Sequence, residues 1–446
     1  MSRNHLVPIW ILALIMVSTG WKVTSAQEDD TPTEDTQAAP GLPQLLGNWN
    51  ILLTDTAQNT LHCWLGITEI DGNLTARFNA WSGGLHQVPA EYKDGNISFA
   101  IQTRNKGRDG TDYWVGTLKR EERQGPRANR TIYIIEGTTR FEQDDQVRSW
   151  TARPQVIRVN PTGTWSIDSI EGLPQAERKL LIKREGRQIT GRFIDNSRSE
   201  TLENPRVRRG ELVATVPMRG TDQEPTPHTL RATIKGDVLE GAFIAGKQRY
   251  AFTARRDRQW ETPIELFNGQ NLDHWIMNTG QDIRESAWQI VDGALCMPKV
   301  GENIMTKQKY DDFKIDLEFK VPEKGNSGVY LRGRHEVQIS DSLGKPLNPG
   351  SCGAIYGRIT PTTDACKAHG EWQRLEVTLI SMYVTVKLNE QTIIDNILIE
   401  GMTGGALDND DNAPGPIYLQ GNHSPVCYRN IRITPAKAPV APEDFK

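Results

Sequence analysis

Short runs of alternating apolar and polar residues, cut by glycines, recur along this chain and restrict it to β structure. The clearest stretch is Gly325-Asn326-Ser327-Gly328-Val329-Tyr330-Leu331-Arg332-Gly333-Arg334-His335-Glu336-Val337-Gln338-Ile339-Ser340-Asp341-Ser342. Strand side chains alternate with a period of two. Val329 and Leu331 therefore face one way while Tyr330 and Arg332 face the other. In the next run Val337 and Ile339 oppose Glu336, Gln338 and Ser340. A polar strand face of this kind can simply be wet. Here it gathers Arg, Tyr, Glu and Gln, the groups that sugar binding or carboxylate catalysis requires.

The same pattern organises the rest of the chain. Residues 313–321 alternate Phe313, Ile315, Leu317 and Phe319 against Lys314, Asp316, Glu318 and Lys320. Helical periodicity of useful length is missing. At 446 residues the chain exceeds one ordinary domain. The formal net charge is only −4 and no long basic run occurs, which argues against nucleic acid or an anionic membrane as partner.

The first residues read as a targeting segment. Arg3 and His5 precede an apolar run over residues 6–17, and Thr24-Ser25-Ala26 offers small residues for cleavage. The expectation is a signal peptide over residues 1–26, a secreted or periplasmic protein, and no membrane span after cleavage. Residues 27–44 are acidic and Pro-rich and read as a flexible linker. Residues 437–446, rich in Pro and Ala, read as a disordered tail. Of five cysteines, Cys352 and Cys366 bracket a short loop and form the best candidate disulfide pair. The odd number leaves at least one thiol.

An internal repeat fills residues 45–258. Gly47-Asn48-Trp49 is echoed by Gly163-Thr164-Trp165, and Asn73-Leu74-Thr75-Ala76-Arg77-Phe78 by Gln188-Ile189-Thr190-Gly191-Arg192-Phe193. Gly116-Thr117-Leu118-Lys119 matches Ala232-Thr233-Ile234-Lys235, Glu136-Gly137 matches Glu240-Gly241, and Trp150-Thr151-Ala152-Arg153 matches Phe252-Thr253-Ala254-Arg255. Five ordered matches predict two tandem units, residues 45–155 and 156–258. Turn signals such as Asp-Gly between short strands predict a small barrel or sandwich for each. The Gly-x-Trp opening resembles that of lipocalin-like barrels, where a Trp plugs one end. Core packing of Trp49 and Trp165 is the plainer expectation. The repeats could bind lipid or a small ligand; they read better as accessory or spacer modules. A third unit, residues 259–436, holds about a dozen short strands and predicts a two-sheet sandwich. The fold class is thus all-β.

Residues 263–435 resemble the 3-keto-disaccharide hydrolase family. The resemblance rests on an ordered set: Leu266-Phe267-Asn268-Gly269 with Leu272 and Trp275; Trp288 and Asp292-Gly293-Ala294-Leu295; Tyr310-Asp311-Asp312-Phe313; the Gly325–Gly333 and Glu336–Ile339 runs; Cys352-Gly353-Ala354-Ile355-Tyr356; Gly370-Glu371-Trp372-Gln373; Pro416-Ile417-Tyr418-Leu419-Gln420-Gly421; and Tyr428-Arg429-Asn430-Ile431. It implies a concanavalin A-like jelly-roll sandwich and an enzyme cleaving 3-keto-glycosides. Two positions depart from the family pattern. His335 stands where an aromatic is usual, which would alter a sugar subsite, and Asn422-His423-Ser424 replaces an acidic-His-Gly triplet.

A ketone at C3 of a sugar acidifies the C2 proton, so a base can trigger loss of the glycosidic oxygen from C1, and water then adds back. Such a route needs a proton carrier, a group to steady the enolate and an acid for the leaving group. Glu336, His423 and Arg332 are the candidate catalytic residues. Asn326, Tyr330, Gln338, Tyr356 and Gln420 are the candidate substrate-binding residues. A divalent metal on Glu336 and His423 is the alternative to Arg332 as electrophile, and is the one cofactor these residues suggest. The rival functions are a lectin-like carbohydrate-binding protein and an ordinary glycoside hydrolase. Plainer readings stand beside these. Arg332 and Glu336 can form a cross-strand ion pair, and His423 can be a turn residue. Asp316 and Glu318 read as a solvated face and Trp372 as core. The acidic run 408–412 reads as a flexible loop rather than a calcium site.

Overall fold

The computed structural model describes residues 40–439 apart from 56, 81–82, 106–107, 125–129, 145 and 219–225. The expected signal peptide, most of the acidic linker and residues 440–446 lie outside the described residues. Among the described residues no helix is long and apolar enough to cross a membrane.

Eight antiparallel strands, from Gly47–Thr54 to Val147–Pro154, form a closed barrel, the last pairing back onto the first (Trp49 opposite Pro154, Thr54 opposite Ser149). Alternation sends Trp49, Ile51 and Leu53 inward and leaves Leu52 exposed. An eight-stranded barrel is just wide enough for side chains to fill it. Here Phe78 meets Phe99 and Trp114, and Trp114 meets Trp150, with ring centroids 4.5–5.8 Å apart. These rings occupy the space that a lipid would take.

The next nine strands form one sheet whose two edges are Arg198–Thr201 and Glu203–Arg208. Those edges are separated only by Leu202, whose N–H donates to the Gly191 carbonyl, so the sheet closes on itself through one bent segment. In the first barrel the bend is made by an unbroken strand, Gly83–Lys93, which pairs backward through Pro89 and forward from Ala90. The five sequence echoes fall on corresponding strands of the two sheets. Gly47 (φ 127°) and Gly163 (φ 138°) both adopt a conformation that L side chains resist. In each case the indole two residues on is buried and donates to a carbonyl four residues back, Trp49 to Leu45 (2.8 Å) and Trp165 to Pro161 (2.9 Å). Each Gly-x-Trp therefore pins the chain's entry into its barrel. Residues 42–45, which the sequence reading gave mostly to the linker, form a short helix whose Leu45 joins the first barrel's core.

The C-terminal unit is a sandwich of an eight-stranded and a five-stranded sheet. Phe313, Ile315, Leu317 and Phe319 face Val329, Leu331, Val337 and Ile339 in one shared core. Each such fully buried side chain contributes about 1.5–3 kcal/mol. Asp316 and Glu318 pair with Arg374 and Arg429 on the outer face, as the solvated reading expected. Three expectations are corrected. The disulfide joins Cys296 and Cys427, directly opposed on neighbouring strands, while Cys352 and Cys366 are adjacent thiols within hydrogen-bonding reach. Trp372 is half-buried beneath Arg429 and Lys320 rather than in the core, because alternation turns Gln373 inward.

The third correction concerns residues 408–412. They do not form a free loop. Asp408 pairs with Arg334, and the Asn409 side chain donates to the Ile51 carbonyl while its own carbonyl accepts from Asn50. Gln155 donates to Asp411, and Asn412 accepts from the Arg158 N–H and donates to the Val156 carbonyl. The loop fastens the sandwich to the first barrel and to the segment that joins the barrels. Arg77–Glu400 (2.6 Å) and Arg258–Asp312 (3.2 Å) extend the junction to both barrels.

Candidate active site

The strands Asn326–Leu331 and His335–Ser340 pair antiparallel with Tyr330 opposite Glu336, Gly328 opposite Gln338 and Asn326 opposite Ser340. Val329, Leu331, Val337 and Ile339 enter the sandwich core, so register alone puts Tyr330, Glu336 and Gln338 together on the other face. The strand Tyr418–Leu419 lies beside them with Tyr418 opposite Tyr330. That face is not wet: Tyr330, Glu336, Gln338 and Gln420 are each less than 8% exposed. It is covered by loops. Thr403 accepts from the Glu336 N–H, and Tyr356 donates its N–H to the Glu336 carbonyl. The Gly404 carbonyl lies 2.9 Å from the Tyr330 hydroxyl. Behind Gly404 stands Gly83 of the first barrel, 2.2 Å from where a Cβ on Gly404 would be. The first barrel therefore helps to wall the site.

Glu336 is the chemical centre. Its side chain lies over Gly328, where a Cβ would meet Oε1 at 2.3 Å, so only glycine leaves room for the carboxyl. Burial pushes its pKa up to about 8, against a smaller lowering by the Tyr330 hydroxyl 3.0 Å from Oε2. No second carboxylate contributes to that shift. The phenols around it are held protonated. Burial, then the Glu336 charge, raises Tyr330 far above its ordinary value and raises Tyr356. Tyr418 is pushed up to about 12 by burial, although Asn303 donates to its oxygen at 2.6 Å. Gln338 donates to Asn326 Oδ1 at 2.9 Å. Gln420 donates to Tyr330 at 3.4 Å, and its buried Oε1 accepts no hydrogen bond among the described residues. A surface cavity of about 300 Å³ opens at the Asn326–Ser340 end of this face.

The structure thus brings together Glu336, Tyr330, Gln338, Asn326, Gln420 and Tyr356. His423 is near but not in contact. Ser424 accepts from the Asn326 N–H and donates to the Asn326 carbonyl, placing the exposed His423 turn beside Asn326. Asn326 is two strand residues from Gly328, about 7 Å along the strand. Crowding by surrounding chain pushes the imidazole below its ordinary pKa, and Nδ1 meets Asn422 Oδ1 at 2.7 Å.

Arg332 does not belong to the site, and its assignment is corrected. The strand ends at Leu331, and Arg332 adopts φ 51°, which breaks the alternation. Its buried guanidinium turns to the Asp311 and Asp411 carbonyls and to the Asp311 and Asp312 carboxylates. His335 likewise lies off the face that carries Glu336 and Gln338, fully buried with Nε2 3.7 Å from Asp411. The residues do not fit a metal either. Among the described residues no cluster of three His, Cys, Asp or Glu groups forms, and Glu336 and His423 share no contact. Sequence reasoning passed over Tyr418, Asn303, Gly328 and the Gly404 carbonyl. The period-two spacing of Tyr418 and Gln420 was the available signal for the first.

On this face the β-sandwich presents a buried, easily protonated carboxyl among amides and phenols. Residues 262–434 match the family model described as the 3-keto-alpha-glucoside-1,2-lyase-like domain, and the C-terminal unit is a domain of this kind. The chain is 21% identical over 225 residues to the 3-keto-disaccharide hydrolase of Bacteroides thetaiotaomicron, covering 38% of this chain and 77% of that one. Among solved structures it resembles two glycosyl hydrolase candidates of Parabacteroides distasonis. One is 29% identical (TM-score 0.34; 41% of this chain, 85% of the other) and one 28% identical (TM-score 0.31; 39% and 98%).

Proposed function

We propose that the protein is an exported enzyme that cleaves the glycosidic bond of 3-keto-glycosides by elimination and hydration. The observation that carries this reading is the buried Glu336 carboxyl packed against the Tyr330 hydroxyl, its pKa raised to about 8 by burial with no second carboxylate among the causes. Ordinary glycosidases flank an oxocarbenium centre with two carboxylates. Here a single carboxyl, poised near working pH, suits abstraction of a proton made acidic by a neighbouring ketone.

In this scheme the Glu336 carboxylate takes the C2 proton. The electrons form the C1–C2 double bond through the enolate, and the C1–O bond breaks. The resulting neutral carboxyl is the form its apolar surroundings favour, and it returns the proton to the departing O1, which lies on the adjacent carbon. Water then adds, OH to C1 and H to C2. Tyr356 and Gln338 supply donors toward the enolate oxygen, and Gln420 Oε1 accepts a substrate hydroxyl. Tyr330 holds the Glu336 carboxylate in place. His423, neutral and exposed at the cavity end, is a second proton carrier for the water. The Cys296–Cys427 disulfide supports an oxidising compartment, in keeping with the N-terminal targeting pattern.

Purified protein incubated with 3-keto-trehalose-type and 3-keto-lactose-type disaccharides, and with the unoxidised parents, tests this. Cleavage confined to the keto sugars is expected. Cleavage of the parents at similar rates, or no turnover on any keto sugar, overturns it.

A further inference from the structure

A larger cavity than the one at the Asn326–Ser340 end of the sheet, about 750 Å³, lies between the second barrel and the sandwich. This volume is within the ~300–1,000 Å³ usual for small organic ligands and far exceeds the needs of an inorganic ion. Six arginines line it against three aspartates. The deep group is Arg256, Arg258 and Arg332. Arg258 is held by Asp237 and Asp312, and Arg332 by Asp311 and Asp312. Arg256 is 5% exposed, stacks on Trp165 at 4.3 Å and donates from Nη2 to the Asn160 carbonyl; its buried Nε lies 3.4 Å from Asp237 Oδ1 but makes no hydrogen bond. Burial pushes its pKa down to about 10 despite nearby Asp237.

The rim carries Arg158, Arg184 and Arg209, all exposed. Arg184 reaches only the Val159 and Gly186 carbonyls. The Arg158 and Arg209 side chains have no ion pair or hydrogen bond among the described residues. Three exposed guanidinium groups without a carboxylate, on a cavity lined by six arginines against three aspartates, leave it with an excess of positive charge that an anion would offset. Between them Val159, Val207, Ile234 and Ile380 supply apolar surface of the kind a sugar ring's C–H face packs on. We propose that this cavity binds an acidic saccharide, with a carboxylate or sulfate group held by Arg256 and by the rim arginines Arg158 and Arg209. The choice of a saccharide as carrier of the anion rests on the carbohydrate reading of the sandwich; the anion site itself does not.

Isothermal titration of the purified protein with a sulfated, glucuronate-containing disaccharide tests this, with the neutral disaccharide and inorganic sulfate as separate arms. Saturable binding at one site per chain is expected, weakening as salt is raised. The double variant Arg158→Ala/Arg209→Ala, exposed at both positions and checked by circular dichroism, should bind at least about tenfold more weakly. Glu336→Gln should bind as the parent does, which separates this site from the catalytic one. Absence of saturable binding, indifference to the double substitution, or equal affinity for the neutral disaccharide would overturn the proposal. Inorganic sulfate binding as tightly as the saccharide would overturn the saccharide assignment.

Discussion

Glu336 carries a conflict that the fold tolerates. Its folded pKa, about 8, lies above the ~4.5 of an exposed glutamate, so the native state holds a proton that the unfolded chain releases. Its contribution to stability is therefore fullest below about pH 4.5 and is lost as pH rises to about 8, by up to about 5 kcal/mol. Glu336→Gln removes this penalty. Its denaturation midpoint should exceed the parent's at pH 9 and approach it at pH 5, while turnover falls about 10²–10⁴-fold and binding of the keto sugar persists. Parallel pH–stability curves for the two proteins would contradict the assignment. Because the carboxylate is the active form, kcat/KM should climb about tenfold per pH unit and level off near pH 8. Gly328→Ala should cut kcat at least about tenfold with the circular dichroism spectrum unchanged, since the new methyl takes the place of Oε1. The pairing of Tyr330 with Glu336 was legible in the sequence because period two fixes faces. The exit of Arg332 was not, since nothing in Leu331-Arg332-Gly333 announces that Arg332 itself takes positive φ and ends the strand.

At the scale of elements, strands were readable wherever alternation ran undisturbed, as over Phe313–Lys320. Closure of the second barrel was not, because it depends on a bend at Leu202 that joins two otherwise unpaired edges. Cysteine pairing was misread for a similar reason. Cys296 and Cys427 are 131 residues apart, and only sheet order makes the strands Ala294–Met297 and Val426–Pro435 neighbours. That bond ties Ala294–Met297, the strand next to the edge strand Gln289–Val291, to Val426–Pro435 in the interior of the larger sheet. Cys296→Ala/Cys427→Ala should lower stability by about 2–4 kcal/mol in urea unfolding. Added reductant should destabilise the parent and leave the variant unchanged; equal sensitivity would show that the reductant acts on a bond other than Cys296–Cys427, such as a disulfide between Cys352 and Cys366.

At the scale of the molecule, the barrels and the sandwich meet through charges that the sequence reading left to solvent. Asp411 is the buried centre of that contact, its pKa pushed up to about 6 by burial against Gln155 and Arg334. The sign follows as for Glu336: stability falls as pH rises from about 4 to about 6, by up to about 3 kcal/mol. Asp411→Asn should flatten that part of the pH–stability profile, and a profile unchanged by the substitution would remove Asp411 as its source. The acidic run looked like a loose loop because its partners, Asn50, Gln155, Arg158 and Arg334, are scattered over the chain. Through Gly83 the same junction reaches the wall of the Glu336 site, so the whole chain, rather than the sandwich alone, is the unit in which to test the chemistry. The most direct test is turnover of a 3-keto-disaccharide in deuterated water, with the product read at early times by NMR against an enzyme-free control. Elimination and hydration predicts one deuterium at C2 of the released keto sugar, absent with Glu336→Gln. Cleavage that leaves C2 fully protonated would contradict it.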